Sequence, residues 1–236
     1  ALTLANLTCG AIAAVYIARF SDTTPAVYLI FLAAFFDLLD GAVARKVGAS
    51  GELGRELDSL ADVVSFGLVP SIVIFSMLEQ SLPAQLQSLK FLAFANVVGA
   101  AYRLARFNVA ESTVKTFNGM PSPANGIFWA SLFAIAVESN HAAPSPAEHW
   151  IWPTNMVITF LVITTLLMVS QVEMFSFKLK PGGIAKNKSQ FIFALLGLIV
   201  SIAVYAAFEQ WLFIIPLLIL LYIVLSVLTF IWKNNK

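Results

Sequence analysis

Two stretches of this chain, Phe191–Tyr205 and Trp211–Trp232, carry no charged residue. A bilayer core about 30 Å thick is crossed by about 20 such residues wound as a helix. The rest of the chain shares this character. Hydrophobic residues fill 59% of its 236 positions and charged residues only 11%, against about 25% charged in a soluble domain. So few charges cannot coat a water-facing surface. The expected fold class is all-α: a polytopic membrane helix bundle, one integral membrane domain over 1–236. Little remains outside the spans for a soluble catalytic domain.

Breakers divide the chain into about eight expected transmembrane helices. They are Asp22-Thr-Thr-Pro25, Gly48–Gly54, Pro83, Met120-Pro-Ser-Pro123, Pro144–Pro153 and Lys180-Pro-Gly-Gly183. The spans between them run roughly 2–20, 25–45, 55–78, 88–109, 123–138, 151–170, 189–207 and 210–232. No basic segment precedes the first apolar run, so no cleavable leader is expected. With the chain start on the cytoplasmic side, twelve Lys and Arg fall in cytoplasmic segments. Only Arg19 and Lys90 fall opposite. Positive residues concentrate on the cytoplasmic side. The expected location is therefore the cell (inner) membrane, with both termini in the cytoplasm.

Charge is costly in a membrane, so carboxylates there are functional candidates. Asp37 and Asp40 close the second span, and Asp58 and Asp62 open the third. Their i, i+3 and i, i+4 spacings put each pair on one helix face. The short turn between the spans makes the helices antiparallel neighbours, so four carboxylates converge at one depth. Unpaired, they would repel one another. Divalent cations relieve that, and oxygen donors suit Mg²⁺, Mn²⁺ or Ca²⁺. Four carboxylates suffice for two metals about 3.5–4 Å apart, as in phosphoryl transfer. Gly41, Ala44, Gly54, Ala61 and Ser65 share the acidic faces. Small residues there either let helices pack closely or leave room for a flat ligand. Arg45 lies one turn further along, placed to clamp a phosphate.

Other chemistry is poorly supported. A net charge of +1 shows no basic face for nucleic acid. The single cysteine, Cys9, excludes an intrachain disulfide and a cysteine metal cluster. Only His141 and His149 are available for a phosphohistidine, and both fall in a loop expected on the far side. A single displacement is the economical mechanism.

The string Asp37-x2-Asp40-Gly41-x2-Ala44-Arg45-x8-Gly54-x3-Asp58-x3-Asp62 resembles the signature of the CDP-alcohol phosphotransferase family at all eight fixed positions. The resemblance implies a six-helix membrane core, here 1–170, that moves a phosphatidyl group from a CDP-linked lipid to an alcohol. Residues 171–236 then form two additional C-terminal helices. It implies metal ligands at Asp37, Asp40, Asp58 and Asp62, with Asp62 also the base. It implies a nucleotide held at Gly41, Ala44, Arg45, Gly54 and Asp58, and a homodimer.

A second segment, Arg103-Leu-Ala-Arg-Phe-Asn108 followed by Phe117-Asn-Gly-Met-Pro-Ser-Pro-Ala124, resembles the branch of the family that uses L-serine as acceptor and CDP-diacylglycerol as donor. Arg103 and Arg106, i, i+3 at a span end, are placed to hold a carboxylate or a diphosphate, or simply to anchor the helix. Rival readings are another acceptor, glycerol 3-phosphate or inositol phosphate, and a divalent-cation transporter. The acids lie near one membrane face, whereas transporters bind at the midplane.

Overall fold

The computed structural model describes residues 1–20, 23–47, 51–110, 119–142, 151–174, 187–208 and 211–234. Among these, the helices are α1 (Leu2–Arg19), α2 (Thr24–Val47), α3 (Glu52–Asp62), α4 (Val69–Ser81), α5 (Ala95–Ala110), α6 (Ser122–Ala142), α7 (Thr154–Val169), α8 (Lys188–Phe208) and α9 (Ile214–Asn234). A π-helical segment, Val63–Leu68, fuses α3 and α4 into one rod. A 3₁₀ segment, Ala84–Phe94, leads into α5, and Trp211–Phe213 leads into α9. The resulting rods coincide with the eight expected spans to within a few residues.

The protein is an all-α membrane bundle. Among the described residues, five rods are long and apolar enough to cross a membrane, and Thr154–Val169 is a shorter apolar helix. The Ala84–Ala110 rod and α6 fall short of that criterion although both were expected as spans. The reason for α6 is its position. Phe128, Trp129, Ala130, Leu132, Phe133 and Ile135 are all buried, and α6 packs on α2, α4 and α9. A helix surrounded by protein need not be as apolar as one facing lipid. The opposite case is α8, which leaves Leu195, Leu198, Ile199, Ile202 and Tyr205 exposed on the outside of the bundle.

The main apolar core fills one end of the bundle. It joins Ala13 of α1, Ala26 and Ile30 of α2, Val73 and Met77 of α4, Phe133 of α6 and Leu161 of α7. Phe75 sits against Phe91 and Phe94, with ring centroids 5.5 and 6.0 Å away. A second cluster, Ala100, Met120, Met168, Met174, Tyr222 and Ile223, ties α9 to α5 and the start of α6.

The π segment has a local cause. Pro70 has no N–H to donate to the preceding turn, and the Val69 N–H reaches back five residues to the Val64 carbonyl. Such widened turns recur at functional sites. The carbonyl of Gly67 accepts from Ser71 Oγ at 2.8 Å and from Asn96 Nδ2 at 3.1 Å. Asn125 Nδ2 donates to Asn96 Oδ1 at 2.8 Å. Ser71, Asn96 and Asn125 are fully buried. A polar network from α5 and α6 thus supports the rod just beyond Asp62.

Candidate active site

The site lies at the end of the bundle opposite the main core. It draws on the start of α1, the end of α2, α3, the end of α5 and the start of α6. Carboxylate oxygens of Asp37, Asp58 and Asp62 lie within 4.8 Å of one another. Asp62 is buried, Asp37 and Asp58 half-buried. Three hard oxygen donors this close suit a divalent cation, and like charges at this spacing would otherwise repel. The residues present therefore fit a metal ion.

Asp40 stands beside this group. Its Oδ2 accepts a hydrogen bond from Thr3 Oγ1, and it remains within electrostatic reach of Asp37 and Asp58. Asp62 accepts from Asn6 Nδ2 at 3.4 Å. Neither Thr3 nor Asn6 was singled out in the sequence. Their signal was a pair of polar side chains at i, i+3 within an apolar run.

The small residues divide between the two roles the sequence left open. Ala61 and Ser65 are buried and serve helix packing. Gly54 is exposed, with nothing within 4 Å of where a Cβ would stand, so it leaves open space beside the acids. Gly41 is half-buried on α2. Ala44 and Arg45 continue that helix, and their side chains lie outside the described residues.

The two arginines differ. Arg103 Nη1 donates to Ser122 Oγ at 3.2 Å, and the guanidinium is within electrostatic reach of Asp62 and Tyr222. Its Nε is buried without a partner among the described residues. Arg106 Nη1 donates to the carbonyl of Val169 at 3.1 Å, where it caps the end of α7. Asn108 joins α5 to α3, donating to Ser59 Oγ at 2.9 Å and to Glu56 at 3.2 Å.

His141 lies in the last turn of α6. Ser122, the Arg103 partner, opens the same helix, about 28 Å away at 1.5 Å per residue. That distance keeps His141 out of the carboxylate chemistry. His149 lies outside the described residues, and Cys9 is buried.

A family model described as CDP-alcohol phosphatidyltransferase matches residues 1–179. A Bacillus subtilis (strain 168) protein named CDP-diacylglycerol–serine O-phosphatidyltransferase is 37% identical over 126 residues, covering 53% of this chain and 69% of that protein. A protein of the same name from Mycobacterium tuberculosis (strain H37Rv) is 29% identical over 216 residues, 88% of this chain and 70% of its own length. One from Methanocaldococcus jannaschii is 42% identical over 99 residues, 42% of this chain and 45% of that protein. With the model spanning most of the helical bundle and all of the carboxylate motif, the chain belongs to the CDP-alcohol phosphatidyltransferase family.

Proposed function

We propose that this membrane enzyme transfers a phosphatidyl group from CDP-diacylglycerol to the hydroxyl of L-serine, giving phosphatidylserine and CMP. The observation that carries the reading is the meeting of Asp37, Asp58 and Asp62 within 4.8 Å, from both halves of the family motif. The shared name of the bacterial and archaeal relatives supports the choice of serine.

Asp37, Asp40, Asp58 and Asp62 would hold divalent metal, which we take to be Mg²⁺ or Mn²⁺. When bound, it supplies positive charge for the diphosphate and for the leaving CMP. The chain's own residues do the rest. Gly54 and Gly41 leave room for the cytidine, with Ala44 and Arg45 beside it. Asp62, buried at the meeting point of α1, α3 and α5, takes the proton from the serine hydroxyl. The serine oxygen bonds to the phosphorus that carries the diacylglycerol. The bond from that phosphorus to the CMP oxygen breaks. Arg103, facing Asp62, is the better placed of the two arginines to hold the serine carboxylate or the diphosphate. Arg106 already spends one N–H on α7.

We assign residues 1–170 as the six-helix core and 171–236 as two additional helices seated on it. We place the protein in the cell (inner) membrane, with termini and active site cytoplasmic, on the strength of the charge distribution. The family resemblance carries a homodimer.

The test uses purified protein, CDP-diacylglycerol and a panel of alcohols, with CMP release as readout. Serine should support release. Faster release with glycerol 3-phosphate or inositol phosphate would overturn the choice of acceptor.

A further inference from the structure

Two hydrogen bonds reach the carboxylate site from a helix that contributes no acid to it. Thr3 Oγ1 donates to Oδ2 of Asp40, and Asn6 Nδ2 donates to Oδ1 of Asp62 at 3.4 Å. The donors are i, i+3 on α1 and so share one face. Their acceptors lie on different helices, α2 and α3, one in each half of the motif. Each bond occupies one carboxylate oxygen and leaves the other.

The donors are held in place. Thr3 and Asn6 are both buried, Asn6 completely. Ser65 Oγ donates to the Asn6 main-chain carbonyl at 3.1 Å. Gly10, one turn along, lies against the same serine, so that a Cβ on it would stand 2.4 Å from Ser65 Oγ. This close crossing seats α1 against the rod that carries Asp62. The amide's orientation follows from its partner. A carboxylate only accepts, so Asn6 must turn its NH₂ toward Asp62. Among the described residues, Asn6 Oδ1 is then buried without a donor.

We infer that Thr3 and Asn6 are positioning residues, which orient Asp40 and Asp62 from α1 so that oxygens from both halves of the motif face one divalent cation. The inference rests on the metal-site reading above and goes beyond it, because both residues act through the carboxylates they bond, Asp40 and Asp62. Partners that orient metal ligands in this way typically change metal affinity about 10–100-fold when removed.

The test reads metal binding directly, without turnover. Full-length protein in detergent is titrated with Mn²⁺, and free Mn²⁺ is followed by electron paramagnetic resonance. Thr3→Val and Asn6→Leu keep size and remove the donor. Each should weaken Mn²⁺ binding about 10–100-fold. Thr3→Ser restores a hydroxyl and should stay within about threefold of wild type on that scale. Should Asn6→Leu fail to fold, the Thr3→Val and Thr3→Ser pair decides alone. Wild-type affinity in Thr3→Val, or equal weakening in Thr3→Val and Thr3→Ser, overturns the inference. Asp62→Asn is the control. If it binds Mn²⁺ as wild type does, the metal-site reading itself falls, and the inference with it.

Discussion

Arg103 reaches from α5 to Ser122 at the start of α6, its Nη1 3.2 Å from the serine Oγ. The contact turns a cationic side chain inward, toward Asp62, at a span end where a positive charge would ordinarily face the headgroups.

That orientation separates the two arginines by experiment. A bidentate contact to a carboxylate is lost in lysine, at a cost of roughly 1.5–3 kcal/mol, or about 10- to 150-fold in affinity. Arg103→Lys should raise KM for serine by that factor and leave KM for CDP-diacylglycerol nearly unchanged. If Arg103 holds the diphosphate, the pattern inverts. Arg106→Lys should change both constants little and lower the thermal midpoint, because its N–H caps α7. Steady-state kinetics on both variants check this, and unchanged kinetics in Arg103→Lys would return it to a helix anchor.

The acids should respond as one site. Asp37→Asn, Asp40→Asn, Asp58→Asn and Asp62→Asn should each lower the rate at least ~100-fold, as loss of a positioned metal or base does. EDTA should abolish CMP release, and Mg²⁺ or Mn²⁺ should restore it. Full activity in chelator would remove the metal from the mechanism.

Labelling in sealed vesicles tests the orientation. A cysteine at Gly51, next to α3, should react only from the cytoplasmic side, and one at His141 only from the opposite side. Cys9 is buried, so the background should be low. The reverse pattern would invert the topology.

The buried amides predict a stability effect. Asn96→Leu removes the donor to the Gly67 carbonyl and leaves the Asn125 amide without its acceptor. Hydrogen bonds between membrane helices are worth about 0.6–2 kcal/mol. The variant should therefore lower the thermal midpoint in detergent, measured by tryptophan fluorescence. Asn125→Leu alone leaves the Asn96–Gly67 bond and should cost less. An unchanged midpoint in Asn96→Leu would show the network to be idle.

The fold class and the rods follow from the sequence, because a bilayer forces apolar stretches into helices, and prolines and glycines mark their ends. The carboxylate pairs follow from the same periodicity, since i, i+3 and i, i+4 spacing sets a helix face whatever the neighbours are. Tertiary structure decided the rest. Pro70 marks the widened turn at Val63–Leu68 in the sequence, but the Asn96 amide that bonds the Gly67 carbonyl comes from a different helix. Thr3 and Asn6 lie far from the motif in sequence and meet it only because Gly10 lets α1 close on Ser65. The arginine pair was symmetric in sequence, and only the packing of α6 and α7 against α5 gave Arg103 and Arg106 different partners. Helical periodicity fixes which way a side chain points from its own axis. It carries no information about which other helix stands there.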